Sequence, residues 1–577
     1  MNFTYEVITS ESEAVEILKA MNNGRPTSCD IETDGLYTYT RLIQVYQPGI
    51  APVVKPVYVL DMDTMELDTI KLYLRELHTV WYNASYDLGT LNITTKKVDD
   101  LFYATKTAYA QFMEFGLAKV IDKLAAIGLI PNLYDGIDKA SLQKKGFVRG
   151  AYLSMAQLTY SAIDVYVLAL MWELGPIQDV INNNLAYKVD MISLGYAIQY
   201  QQNGLVVDNE MRMSMLEDAN RSIEKYTNLL PDGLNPNSSP QVRALLGTAK
   251  ADRATLVAYS LSDADNAAYA EYIIALKSAK KQAKYLESIN FHKMYTKFNP
   301  AGAISGRFTA SGGDLVDGFN AQQIPRNLQP IFLQDTYDTV VVDEDYSTLE
   351  LRLACAIFGE AEMYRQFIEG ADLHTEMAAM VTGKKLHEDG LLGSVYSLDT
   401  INTGEWLTKQ DRTQAKAVNF GYVFGMSAAT YVSYAFTSYG IKVTLDEATE
   451  IRNAYFRKYP NIAKSHKHVW NNYKRPDFYV YTALGRKVKP KLGTDGINIP
   501  VQGSGAETTK LSVHYLIKDY PEVINYIFNV VHDAIYLRVP KDEKDLWSTR
   551  LRAAMLKGWT EISKTAMFKF HDIPMPF

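Results

Sequence analysis

Two sets of acids in this sequence are spaced so that regular backbone would gather them. In DIETDGL (Asp30–Leu36), Asp30 and Glu32 stand two positions apart after an apolar run. A strand turns residues i and i+2 to one face, so both carboxylates share a side. Two acids on a buried strand face are costly unless cations neutralise them. NASYD (Asn83–Asp87) supplies Asp87, and YSAID (Tyr160–Asp164) supplies Asp164 with Tyr160 one helical turn before it. Four carboxylates and a phenol fit a hydrolysis that uses two divalent ions, the phenol orienting the attacking water.

The second set lies further on. Asp345 closes the β-branched run in TVVVDEDYS (Thr339–Ser347). Asp533 falls where two alternating apolar runs of YIFNVVHDAIYLRV (Tyr526–Val539) meet, which predicts a hairpin with an acid at its tip. Alone, each is more often a solvated turn residue. Together they fit phosphoryl transfer, which uses two cations roughly 3.5–4 Å apart. Magnesium suits such a site, because it takes few protein carboxylates and fills its shell with phosphates and water.

RTQAKAVNFGYVFG (Arg412–Gly425) spaces Arg412, Lys416 and Phe420 at i, i+4 and i+8, one stripe of a helix. Two fixed cations beside a ring suit a triphosphate with its sugar packed alongside. The bland alternative is a solvated basic face with a core phenylalanine. Gly421 and Gly425 weigh against it, since glycines admit close approach of bases and otherwise cost helix stability.

These residues need elements to hold them. Strand-like and helical stretches alternate up to about residue 185, which predicts an α/β domain. From Asn182 to Ile289 the pattern is mostly helical, broken by LNPNSSP (Leu234–Pro240). A strand follows around Asp345, then helices to about Arg475, then strand-like YVYTALGRKVKP (Tyr479–Pro490) and the hairpin. In IALKSAKKQAKYL (Ile274–Leu286), Lys277, Lys280, Lys281 and Lys284 share a helical face away from Ile274 and Leu286. A solvated face is the ordinary explanation, but in a helical arm such a stripe follows phosphates without reading sequence. His466 and His468, at i and i+2 on a helix, point apart and read as surface residues.

The bulk numbers set limits. At 577 residues the chain needs two or three domains. A net charge of −7 argues against a protein that coats nucleic acid indiscriminately, but not against local basic stripes. Cys29 and Cys355 have no metal-ligand spacing and read as buried hydrophobes in a reducing compartment. The N-terminal residues lack signal-peptide order, and no apolar run is long enough to span a membrane. The expectation is a soluble, cytoplasmic protein.

The string DYSTLELR (Asp345–Arg352) resembles motif A of family A DNA polymerases, Arg412–Gly425 their motif B, and VHD (Val531–Asp533) their motif C. SGRFTAS (Ser305–Ser311), NAQQIP (Asn320–Pro325), DLHT (Asp372–Thr375) and NIPVQGSGAE (Asn498–Glu507) add matches in family order over about residues 186–577. The three earlier strings resemble the exonuclease motifs of the DEDD family in its tyrosine variant, over about residues 1–185. The resemblance implies an RNase H-like 3′→5′ exonuclease domain followed by a right-hand polymerase domain. Its palm would be residues 186–204, 296–353 and 482–577, its thumb 205–295 and its fingers 354–481. It implies two Mg²⁺ in each site, with Mn²⁺ able to substitute. Asp345 and Asp533, helped by the Tyr346 carbonyl, would hold one pair, and Asp30, Glu32, Asp87 and Asp164 the other.

It further implies that Arg412, Lys416 and His374 grip a deoxynucleoside triphosphate. Phe420 would pack on the sugar and disfavour dideoxynucleotides, and Glu350 would stand where a ribose 2′-hydroxyl clashes. Arg307, Gln502, Asn498 and His532 would touch primer–template DNA. Two departures stand out: Ala534 replaces the usual glutamate after the motif C aspartate, and Phe424 replaces the usual tyrosine of motif B. The segment 383–406 reads as a fingers insertion. No 5′-nuclease region precedes the exonuclease strings, which together with the compact thumb points to a monomeric bacteriophage replicative enzyme. Three other readings stay open: a single-subunit RNA polymerase, a nuclease with a degenerate binding module, and a non-catalytic DNA-binding scaffold.

Overall fold

The structure, a computed structural model, describes residues 3–577 except 50–54, 139–140, 143–145, 261, 263, 314, 385–406 and 440. The expected fingers insertion therefore lies almost wholly outside the described residues.

The N-terminal part is built on a six-stranded mixed sheet of β1 (Tyr5–Ile8), β2 (Pro26–Thr33), β3 (Thr40–Tyr46), β4 (Val57–Asp61), β5 (His78–Trp81) and β6 (Lys97–Asp100). Its order is β1-β4-β3-β2-β5-β6. β2 lies inside the sheet, antiparallel to β3 and parallel to β5. Apolar clusters cover both faces, one containing Leu42, Val57 and Val59, the other Ile31, Ile43 and Leu60. Every residue of β3 is buried, as expected of a strand covered on both sides. Helix α1 (Ala84–Leu91) follows β5 and α2 (Leu101–Ala108) follows β6. Helix α3 (Met155–Trp172) crosses β2, β3 and β4. A capping box fixes its start, with the Ser154 and Gln157 side chains each bonding the other's backbone N–H.

Helix α4 (Leu185–Tyr200) leads into the second part, matching the expected change of domain. Four helices make an arm: α5 (Asn209–Asn228), α6 (Ser239–Leu246), α7 (Arg253–Ser260) and α8 (Ala267–Glu287), packed around Val242, Leu256 and Ile273. Strand β7 (Thr339–Glu344) follows, then helices α9 (Leu349–Phe358), α10 (Leu373–Thr382), α11 (Lys409–Val423), α12 (Leu445–Lys458) and α13 (Pro460–Asn472). The hairpin β8 (Val480–Tyr481) and β9 (Lys487–Val488) precedes α14 (Gly493–Asp519). Strands β10 (Ile527–Val531) and β11 (Ala534–Pro540) complete an antiparallel sheet of order β7-β11-β10, and α15 (Lys544–Ser563) packs along β7 and α14.

Three expectations change. His466 is buried, at 6% exposure, and its Nε2–H donates to the Val423 carbonyl at 3.0 Å. Only His468 is at the surface. Ile274 lines the same cleft as Lys277, Lys281 and Lys284, so it does not oppose the lysine face. Gly421 is buried, and a Cβ there would meet Met426 and Tyr431. Gly425 sits at φ 80° just beyond α11, where a Cβ would come within 2.8 Å of Ile497. Both glycines thus permit close packing of protein on protein.

Candidate active sites

In the N-terminal part, β2 presents Asp30 and Glu32 to one face, and α3 brings Asp164 against them. Carboxylate oxygens of the three lie within 4.8 Å of one another. Tyr160, a turn before Asp164, hydrogen-bonds to it, and burial holds the phenol protonated. Asp87 is not one of the three converging acids. It is buried on α1, close enough to feel Asp164. Burial and then Asp100 hold its carboxyl far above the usual range.

Sequence reasoning missed Tyr134, whose hydroxyl also bonds the Asp164 carboxylate. Its ring centroid is 6.4 Å from that of Tyr160. No pattern around residue 134 marks it, because it comes from irregular backbone. All the converging donors are hard carboxylate oxygens, the set that suits Mg²⁺ or Mn²⁺.

The second site forms where β7 ends beside the two-residue turn between β10 and β11. The register pairs Glu344 with Ile535, which brings Asp345 beside Asp533. Their carboxyls share a hydrogen bond. Burial, then the Asp533 charge, pushes Asp345 up to about 7. Asp533 is raised as well, by burial and then Glu350. Two carboxyls this close hold a proton unless cations replace it. The Tyr346 ring is buried, its hydroxyl 2.7 Å from Ser512 Oγ and 2.6 Å from the Met555 carbonyl, which fixes the backbone after Asp345.

Local strain marks these turns. Asn83 (φ 71°), Thr348 (φ 54°) and His532 (φ 56°) all take left-handed backbone without being glycine. Each costs on the order of 1–3 kcal/mol, and each stands within four residues of Asp87, Asp345 or Asp533.

Arg412, Lys416 and Phe420 form the expected stripe on α11, all half-buried. Arg412 is already held by Asp372, with Nε at 2.5 Å and Nη2 at 3.2 Å. His374 is buried, and Asn419 Nδ2 donates to its Nδ1 at 2.9 Å. That bond leaves Nε2 carrying the proton of the neutral ring. Burial lowers the imidazole to about 4, against the pull of Asp372. His374 therefore offers a hydrogen bond, not a charge. Together with Arg352, Lys409, Arg412 and Asp372 it lines a cleft of about 540 Å³. Asn419 and Asp372, the orienting partners, were not singled out by spacing alone.

Glu350, on α9, pairs with Arg307. Asn498 and Gln502, four apart on α14, are both half-buried, and His532 is exposed at the hairpin tip. Ala534 opens β11 and is buried. Lys280, Lys281 and Lys284 are exposed on α8 and Lys277 is half-buried; all but Lys280 line a cleft of about 650 Å³ with Arg253 and Tyr285. Both cysteines are free and buried.

Known proteins resemble this chain over almost its whole length. Residues 209–566 match the model of DNA polymerase family A, and residues 5–174 match that of a 3′-5′ exonuclease. DNA polymerase I of Aquifex aeolicus is 24% identical over 94% of this chain and 93% of its own length. DNA polymerase I of Streptococcus pneumoniae is 30% identical over 39% of this chain, and the match spans only 25% of that enzyme. The thermostable DNA polymerase I of Thermus aquaticus is 25% identical over 46% of this chain and 30% of its length. Among solved structures, the POL domain of Pol1 from M. smegmatis, in complex with DNA primer-template and dNTP, superposes with a TM-score of 0.69. That match covers 99% of this chain and 98% of the other at 15% identity, and so speaks for the fold. With more than half its length matched by one family model and most of the remainder by the other, this chain belongs to DNA polymerase family A and carries a 3′-5′ exonuclease domain.

Proposed function

We propose that the chain copies a DNA template from deoxynucleoside triphosphates and removes mispaired 3′ ends, using two divalent ions at each site, with Mg²⁺ as the working ion. The observation that carries this is the meeting of Asp345 and Asp533 at a strand end and a hairpin tip. Bound there, the ions would lower the charge on attacking and leaving oxygens. The surrounding side chains have separate tasks. Arg412 is pre-set by Asp372, and with Lys416 and the Nε2–H of His374 it binds the triphosphate. Phe420 packs against the sugar, and Glu350, braced by Arg307, occupies the space a 2′-hydroxyl would need. Asn498, Gln502 and His532 touch the primer terminus, and the α8 lysines follow duplex phosphates. In the exonuclease, Tyr160 orients water while Asp30, Glu32, Asp164 and Asp87 hold the ions.

The domain limits follow the same reading: exonuclease 1–185, thumb 205–295 and fingers 354–481, with the palm from the remaining segments. The enzyme would act as a monomer inside the cell, consistent with its two free thiols. Among the described residues no helix is long and apolar enough to cross a membrane. The relatives named above are bacterial, and none of them favours the bacteriophage origin expected from the sequence.

The test is primer extension in Mg²⁺ beside excision of a 3′ mismatch. Asp345→Ala should lose extension by about a thousandfold, near 4 kcal/mol, and keep excision. Asp30→Ala should do the reverse. Loss of both activities in either variant, or of neither, would sink the assignment.

A further inference from the structure

Helix α1, which carries Asp87, starts without a cap of its own. Its N-cap residue, Asn83, sits in left-handed backbone at φ 71°, and its side chain makes no capping hydrogen bond. The first N–H groups of a helix lack partners within it and need an acceptor from elsewhere. Here another element supplies it. Asp100 ends β6, fully buried; its Oδ1 accepts the Asn83 N–H at 2.9 Å and its Oδ2 the Ala84 N–H at 2.7 Å. Oδ1 also accepts the Phe102 N–H at 2.8 Å, so the same carboxylate caps α2. The Asp100 N–H in turn donates to the Tyr187 hydroxyl at 2.9 Å, and that hydroxyl donates to Asp99 Oδ1 at 3.0 Å. One held acid therefore ties the end of β6 to the starts of two helices.

The consequence falls on Asp87, which stands in the first turn of α1. The Ile31 backbone, between Asp30 and Glu32, hydrogen-bonds the Asp87 carboxyl. A tilt at the start of α1 would swing that carboxyl away from the strand that carries the other two acids. We infer that Asp100 is a positioning residue of the exonuclease: through the Asn83 and Ala84 N–H groups it aims α1 so that Asp87 reaches ions shared with Asp30, Glu32 and Asp164. This rests on the exonuclease reading above. Position and charge act in opposite directions here, because the Asp100 charge opposes ionisation of Asp87. Loss of that charge alone would tighten ion binding, and loss of position would weaken it.

Asp100→Asn separates the two. Its single oxygen still caps α2 and meets Asn83, while its NH₂ faces the Ala84 N–H, donor against donor. The measurement is Mn²⁺ titration calorimetry on the full chain carrying Asp345→Ala and Asp533→Ala, so that the heat comes from the exonuclease acids; adding Asp30→Ala gives the blank. Mn²⁺ should bind about tenfold more weakly to Asp100→Asn, the low end for loss of a group that orients a ligand. Asp100→Ser, which keeps an oxygen for α2 but falls short of α1, should bind more weakly again. With Asp345 and Asp533 intact, Asp100→Asn should excise a 3′ mismatch about tenfold more slowly, recover at raised Mn²⁺, and extend a primer as the wild type does. Mn²⁺ affinity that is unchanged or higher in Asp100→Asn, or an equal loss of extension and excision, overturns this inference alone. Absence of Mn²⁺ binding and of excision when Asp100 is intact overturns the exonuclease reading, and this inference with it.

Discussion

Asp190 lies on α4 with no exposed surface, and two cations converge on it: Lys510 Nζ at 2.6 Å and Arg486 Nη2 at 2.7 Å. Lys510 is as buried as Asp190 and also donates to the Gly306 carbonyl at 2.7 Å. Asp190→Asn keeps the shape and removes the charge, leaving two cations inside protein. Removing one member of a buried pair costs about 3–5 kcal/mol. Lys510 can escape by losing its proton, which at neutral pH costs about 1.4 kcal/mol for each unit below 10.5, an upper limit near 5 kcal/mol. Glu507, buried beside Arg486, offsets part of the loss and favours the lower end. A loss of ~4 kcal/mol over the 209–566 region, at about 2 cal/mol/K per residue, corresponds to a fall in Tm of about 5 °C. Thermal unfolding of Asp190→Asn and of the double variant Asp190→Asn/Lys510→Met is the measurement, the double variant recovering much of the loss. Primer extension should show weaker DNA binding in the single variant, because the Gly306 turn carries Arg307. A single variant within about 1 °C of wild type, or a double variant no better than Asp190→Asn, would refute this account.

Tyr134→Phe removes a hydrogen bond to the Asp164 carboxylate; excision should fall about tenfold and need more Mg²⁺ for half-saturation, with extension unchanged, as Mn²⁺ titration calorimetry and excision rates would show. Burial, then Arg486, lowers Lys106 to about 7. Between that pH and 10.5 the unfolded chain binds the extra proton, so stability rises with pH through this window and the burial penalty is full below it. Wild type should therefore gain up to about 1.4 kcal/mol per unit relative to Lys106→Met between pH 7.5 and 9.5, measured by denaturant titration. Glu350→Ala should raise ribonucleotide incorporation about tenfold or more relative to deoxynucleotide incorporation, read in competition assays; no change would remove Glu350 from sugar selection.

Short-range spacing explains what the sequence reveals. Asp30 and Glu32 at i and i+2, the α11 stripe at i and i+4, and the alternation around His532 each depend on one element's own period, and the structure bears all three out. What stays hidden depends on packing between distant parts. NIPVQGSGAE carries Pro500, Gly503 and Gly505, poor helix formers, yet it lies within the 27-residue α14, whose interior is buried on nearly every side. Close packing uses those glycines: a Cβ at Gly503 would fall 2.7 Å from the Ser305 carbonyl oxygen. Lys510 reads as an ordinary surface lysine because its partner Asp190 is 320 positions away. His466 follows the same logic, since only the approach of Val423 makes it a core residue.

Residues 297–307 link the surroundings of the two carboxylate clusters. Lys297 Nζ donates to the Gly89 carbonyl at 3.2 Å, on the helix that carries Asp87. Asn299 receives the Tyr103 hydroxyl at 2.5 Å and donates to Asn83 Oδ1 at 3.0 Å, at the left-handed turn that begins that helix. Lys106 Nζ holds the Ala301 and Ala303 carbonyls at 3.0 and 3.2 Å. Three residues on, Lys510 holds Gly306, and Arg307 braces Glu350 beside Asp533. Most of these donors are buried or half-buried, so releasing any one strands a polar group away from water. A strip pinned this densely cannot lengthen or swing without breaking several bonds together. The span between the two carboxylate clusters is therefore set by the protein, and under the proposed function a primer end passing between them is the part that moves.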